Sequence, residues 1–130
     1  KKEYTTSQKI KSYIEQLSVS AEVKALLYKI TEFSITVGRT VIKMGKKILE
    51  MVFMLASKYK HAAFGLLLGA MLASLIAAIP LVGPPLSAFL LPILMLFGLG
   101  KGLWEDLKRD APEIAVSITE AGSVFRPLSA

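Results

Sequence analysis

Residues 62–100 contain no Lys, Arg, Asp or Glu. A helix that crosses a hydrocarbon core of about 30 Å needs about 20 mostly apolar residues, each rising about 1.5 Å. The uncharged block is nearly twice that long, so two crossings are expected. Pro80-Leu81-Val82-Gly83-Pro84-Pro85 interrupts it. Proline removes a backbone donor and disfavours helix in the residue before it, while glycine admits left-handed turns. The expected element is a helical hairpin with its tip at 80–85, Pro80, Gly83, Pro84 and Pro85 being the turn residues.

A chain of 130 residues has room for one domain, and 53% of this one is hydrophobic. Its mean hydropathy is +0.53. A globule this small leaves much of its chain near water, so such an excess of apolar residues calls for lipid or a partner. The expected class is all-α, an integral membrane hairpin of two spans preceded by amphipathic helices. Three segments follow: basic amphipathic helices over 1–60, the transmembrane hairpin over 61–101, and a short tail helix with an irregular end over 102–130. The competing arrangement is an apolar hairpin held between water-soluble helices and released at a membrane.

Charge sets the orientation. Lys58 and Lys60 precede the first arm, and Lys101, Lys108 and Arg109 follow the second. The positive-inside rule then places both termini in the cytoplasm, in a multi-pass protein of the bacterial inner (plasma) membrane. Tyr59, His61 and Trp104 stand where interfacial side chains belong. The first eleven residues are polar and basic, so a secretory signal is not expected. A chain that opens on Lys instead of Met is expected to continue upstream.

Gly65, Gly69, Ala73 and Ala77 recur every four residues and share one face of the first arm, with Ala70, Ser74 and Ala78 on the next. Small residues at this spacing let helix backbones approach closely in lipid, where no hydrophobic drive exists between helices. The stripe resembles a glycine zipper. It packs either the two arms of one hairpin or neighbouring subunits, and the first is preferred because the arms must meet before any oligomer forms.

Before the block, Ile10, Tyr13, Ile14 and Leu17 follow helical spacing over about 7–18. Ser20 is a cap for a second helix, with Glu22 in its first turn. An apolar seam separated by threes and fours then runs from Val23 through Ile30, Val37, Val41, Met44, Ile48 and Met51 to Leu55. This spacing predicts one helix-association seam over 20–60, on a helix that continues into the first arm. Gly38 and Gly45 are expected to mark bends in it. Its other face carries Arg39, Lys43, Lys46, Lys47 and Lys58, which with Lys60 and Lys101 form a basic surface suited to anionic lipid headgroups. A solvated helix face explains the same pattern. Nucleic acid is not expected, for want of a binding motif or a stacking platform. In the tail, Pro112, Glu113 and Gly122 predict a short helix.

Catalysis needs convergent polar groups, and the chain offers one His, no Cys and scattered carboxylates. No catalytic residue, metal site or cofactor is expected, and Glu105 and Asp106, being adjacent, diverge by about 100° on a helix. Cationic amphipathic helices leading into an uncharged apolar hairpin resemble, in outline, the membrane-inserting part of colicin-type pore-forming toxins, and small lysis proteins of the holin kind share the plan. The chain is much shorter than the toxins and is expected to lack enough helices to bury the hairpin in solution. The resemblance carries over no residue. The expected function is an oligomeric membrane protein that forms a pore or permeabilises or remodels the membrane, with the lipid bilayer, anionic headgroups and copies of itself as partners. The alternative is a non-catalytic anchor or adaptor that holds a cytoplasmic protein partner at the membrane.

Overall fold

A computed structural model describes residues 6–129, with side chains described for 8–127. The chain is all-α in class. Its elements are α1 (Thr6–Gln16), α2 (Ala21–Thr31), β1 (Ile35–Val37), β2 (Thr40–Ile42), α3 (Met44–Lys58), α4 (Phe64–Ala78), α5 (Gly83–Leu96), α6 (Leu103–Asp110) and α7 (Pro112–Gly122), with 3-10 turns at Pro80–Val82 and Ser123–Ser129. Two compact units divide at Glu50 and Met51, within α3.

In the first unit α1 buries Ile10 and Ile14 and α2 buries Val23, Leu27 and Ile30. Ser20 caps α2 as its sequence predicts, its Oγ accepting from the Val23 amide at 3.2 Å. Glu15 fastens the two helices together. Its carboxylate accepts from the Tyr28 hydroxyl, and its backbone carbonyl accepts from Lys24 Nζ at 3.1 Å. That hydrogen bond, before any burial, raises the Tyr28 pKa. A raised pKa means the contact stabilises fully below the ordinary tyrosine range and is lost as pH climbs through the folded value.

The single helix expected over 20–60 is replaced by two helices with a β-hairpin between them. Ile35 pairs with Ile42, Thr36 with Val41 and Val37 with Thr40. β-branched residues lose side-chain freedom on a helix and fit a pleated ribbon, and Ile-Thr-Val and Thr-Val-Ile supply six of them in two runs. Gly38 turns the chain with φ +64°, and no non-glycine residue among those described has positive φ. Glycine first and an ordinary residue second is the pattern of a type II′ turn, whose twist suits a hairpin.

This corrects several expectations. Val37 and Val41 are strand residues, 39% and 61% exposed, and belong to no helical seam. Arg39 lies in the hairpin turn and Lys43 between β2 and α3, so neither shares a helix face with Lys46 and Lys47. The seam survives as separate pieces, with Ile30 buried on α2 and Met44, Ile48 and Met51 buried on α3. Nor does α3 continue into the first arm, since it ends at Lys58 and α4 begins at Phe64.

At the hairpin's base the Gly45 amide donates to the Phe33 carbonyl at 3.0 Å. A Cβ on Gly45 would overlap the Ile30 carbonyl, so here glycine is required by close backbone approach and marks no bend. Gly45→Ala is expected to destabilise the protein by about 3 kcal/mol, because the obstacle is backbone and cannot rotate away. Gly100→Ala, where a Cβ meets nothing within 4 Å, is the control and should leave the midpoint within about 0.5 kcal/mol of the parent in thermal or denaturant unfolding. Equal midpoints for the two variants would remove the assigned α2–α3 contact.

Candidate functional site

The second unit is built around α4. Its sequence, Phe-Gly-Leu-Leu-Leu-Gly-Ala-Met-Leu-Ala-Ser-Leu-Ile-Ala-Ala, has no polar face, so burying it takes neighbours all round. Leu67, Leu68, Met71 and Leu72 are fully buried. α5, α6 and α7 all pack on this one helix. Before it, the Phe53 and Phe64 rings meet with centroids 5.2 Å apart, tying the end of α3 to the start of α4.

The helix break falls where the prolines predict, but it is tighter than the expected tip. Pro80 opens a single 3-10 turn, and Gly83, Pro84 and Pro85 form the first turn of α5, where a missing amide hydrogen costs no helical bond. The two arms are bent by 119° across the break. With 15 and 14 residues, α4 and α5 are about 22 and 21 Å long, short of the about 30 Å of a hydrocarbon core. No single described helix is long and apolar enough to cross a membrane, while the bent pair passes that test together.

α5 is as apolar as α4 but much less covered. Leu91, Met95 and Leu96 are 53%, 82% and 41% exposed, and Leu81 of the turn is 58% exposed. Among the described residues, Ser74 is the one buried polar side chain, and its hydroxyl donates to its own helix at Met71 O, 2.9 Å away. Ser87, half-buried, does the same to Gly83 O at 2.7 Å. Both hydroxyls thus spend their donors on their own helix.

α6 and α7 present the opposite character. Leu103 and Leu107 of α6 and Ala115 and Ile118 of α7 turn inward, and the charged residues turn outward. Glu105 and Asp106 do not form a carboxylate pair. Lys108 meets Glu105 at 3.0 Å, and Arg109 meets Asp106 at 3.3 Å and Asp110 at 2.9 Å. The bond from Arg109 holds the Asp110 carboxyl below its usual range, so this exposed contact is present above the ordinary aspartate pKa and fades as pH falls through the folded value. Acids at the start of α6 and bases at its end also suit the helix dipole.

The predicted site residues separate into distinct places. Gly65 lies under the Phe97 ring at the end of α5, and Gly69 under Leu103 of α6, where a Cβ would stand 2.9 Å from Leu103 Cδ2. Ala73 is half-buried and Ala77 exposed, so the stripe packs inside the chain at its first two positions only. Tyr59 is half-buried, its hydroxyl sharing a hydrogen bond with Ser117 of α7, and Lys58 Nζ lies 5.3 Å from the Tyr59 ring centre. Trp104 is half-buried with Lys108 Nζ 5.6 Å from its ring centre, while His61, Lys60 and Lys101 are exposed. α6 was not anticipated. Eight residues after three closely spaced glycines give little helical signal, although Leu103 and Leu107 at i, i+4 with acids first and bases last carried one.

Gly65→Ala is expected to lower stability by about 2 kcal/mol through overlap with Phe97, and Phe97→Ala should recover much of that loss in a double-mutant cycle. Additive effects would detach Gly65 from α5. No family model, curated protein or solved structure matches this chain.

Proposed function

We propose that the protein is a small, non-catalytic, oligomeric protein of the inner membrane, both termini cytoplasmic, that permeabilises or remodels the bilayer through its α4–α5 hairpin. One observation carries the reading: Leu81, Leu91, Met95 and Leu96 put large apolar side chains outward along an arm and turn that contain no charge. Exposed apolar surface of this kind needs lipid or protein against it.

The arrangement of the second unit suggests how the hairpin is used. α5 is the face offered to lipid, and α6 and α7 cover α4 with their charged sides outward. In water, uncovering α4 exposes several large side chains, each costing about 1.5–3 kcal/mol. In hydrocarbon that penalty disappears, because lipid tails are as apolar as leucine. Separation of α6 and α7 from α4 is therefore a step that a membrane favours and water opposes. Arms of about 22 and 21 Å suit a shallow, wedge-like insertion, and wedges perturb a leaflet without lining a polar channel. The anchor or adaptor reading is favoured by a separate observation, the two hydroxyls of the hairpin bonded back to their own helices.

Dye leakage from liposomes separates the readings. The chain has no cysteine, so Leu75→Cys with Gly122→Cys adds the sole thiol pair, where a Cβ on Gly122 would touch the Leu75 side chain, and mass spectrometry confirms the bond before leakage is read. The parent is expected to release dye, the oxidised variant to release it at least tenfold more slowly, and reduction to restore the rate. Tight liposomes with the parent protein would overturn permeabilisation in favour of the anchor. Undiminished leakage from the oxidised variant would overturn the parting of α7 from α4.

A further inference from the structure

In the first unit the β1–β2 ribbon lies open to solvent, every residue from Thr36 to Val41 being exposed. Cross-strand partners share a face and successive residues alternate, so Ile35, Val37, Thr40 and Ile42 take one face and Thr36 and Val41 the other. Ile35 and Ile42 are half-buried at the base, while Val37 and Val41 are exposed on opposite faces nearer the turn. The sheet has two strands only, so both outer edges carry unpaired backbone groups. Charge is one-sided here. Between Glu32 and Glu50 the chain holds Arg39, Lys43, Lys46 and Lys47 and no carboxylate. Arg39 lies in the turn and Lys43 directly after β2, while Lys46 and Lys47 fall in the first turn of α3, whose positive dipole end repels them. No ion pair among the described residues engages any of these four. The fold thus gathers like charges on a short stretch without neutralising them, an arrangement that costs stability unless anions come from outside the chain.

We infer that this ribbon, with the first turn of α3, is the surface by which the protein recognises an anionic leaflet, its four cations meeting headgroup phosphates and Val37 and Val41 seated where headgroups give way to acyl chains. The inference deepens the membrane reading and rests on it, assigning recognition to the ribbon and entry to the α4–α5 hairpin. Exposed cations and exposed valines on one ribbon select the occupant together. Duplex phosphates would satisfy the cations but leave both valines in water, and the ribbon presents no aromatic ring on which a base could stack. A neutral apolar surface would cover the valines and offer the cations nothing. The headgroup layer also keeps water for the unpaired strand edges, so the ribbon rests at the interface and does not enter hydrocarbon.

The chain has no cysteine, so Thr40→Cys places a single thiol beside the turn for an environment-sensitive dye. The labelled full-length protein is reconstituted in vesicles of phosphatidylcholine alone or of phosphatidylcholine with phosphatidylglycerol, and flotation is scored on the same samples. The dye is expected to report an apolar boundary with phosphatidylglycerol and water with phosphatidylcholine alone. Arg39→Gln with Lys43→Gln, both surface changes of small cost to folding, should weaken the phosphatidylglycerol response at least tenfold, since each cation at an anionic surface is worth about fivefold. Lys9→Gln with Lys11→Gln, exposed cations of α1, should leave the response unchanged. Val41→Thr keeps the β-branch and the charge and should weaken it about threefold, because only the apolar contact is lost.

A protein that floats while its dye responds equally to both lipids overturns the ribbon's role alone. A response that survives loss of Arg39 and Lys43, or that falls as far when Lys9 and Lys11 are changed, also overturns it, since net charge would then suffice. A duplex oligonucleotide bound more tightly than the phosphatidylglycerol surface, and indifferent to Val41→Thr, gives the ribbon to nucleic acid and removes the lipid. A protein that fails to float overturns the ribbon contact together with the membrane reading.

Discussion

α4 has no side that can face water, and the second unit follows from that. Most helices in a small domain bury one stripe and solvate the rest. Here the buried set includes Gly65, Leu67, Leu68, Gly69, Ala70, Met71, Leu72, Ser74 and Leu75, consecutive enough to run round the helix. The chain meets this demand by returning to the same helix three times, with α5, α6 and α7. Small residues set how close those returns come, since the Phe97 ring and the Leu103 side chain occupy space that any Cβ on Gly65 or Gly69 would take. Once α4 is surrounded, the outer faces of its neighbours decide the character of the unit. α6 brings ion pairs to the surface, α7 brings Glu113 and Glu120, and α5 brings leucines and a methionine.

Covering α5 as well would need another helix, and the described elements of the second unit supply none. The exposed face of α5 is thus the part of the apolar block that the described residues of the second unit leave uncovered. The expectation that the chain has too few amphipathic helices to bury the hairpin fails for α4, which is buried, while Leu91, Met95 and Leu96 of α5 stay exposed. α6, which was not foreseen, accounts for part of the difference.

Legibility tracked how local the cause was. Ser20, Pro80, Pro112 and Gly122 act on their own turn of chain, and each marks an element end near where the structure has it. The stretch over 34–42 failed for an instructive reason. Apolar residues at threes and fours satisfy a helical template, yet the same residues are β-branched pairs flanking Gly38-Arg39, and turn chemistry outweighed period. Val37 and Val41 fit both patterns, and their cross-strand pairing and exposure show which one the chain uses. Gly45 looked like a defect because the carbonyl it accommodates, at Ile30, lies fifteen positions earlier in the sequence. For the same reason an open cavity beside Trp104 was not legible, as its walls come from α4, α6 and the final turn.

The outer faces of α5 and of α6 and α7 belong to helices packed on the same buried helix, and that couples them. Whatever holds α6 and α7 against α4 also keeps α4 away from lipid, while whatever draws α5 into lipid brings α4 to the boundary where its water-driven cover is worth least. The buried residues that α6 and α7 set against α4 are Leu103, Leu107, Ala115 and Ile118, and the Tyr59–Ser117 hydrogen bond ties α7 to the segment before α4. A cover held by apolar contact, with little hydrogen bonding across it, is stable in water and weakly specified in hydrocarbon. On the proposed membrane reading, the strength of that cover, more than the hydropathy of the hairpin alone, sets when the hairpin leaves it.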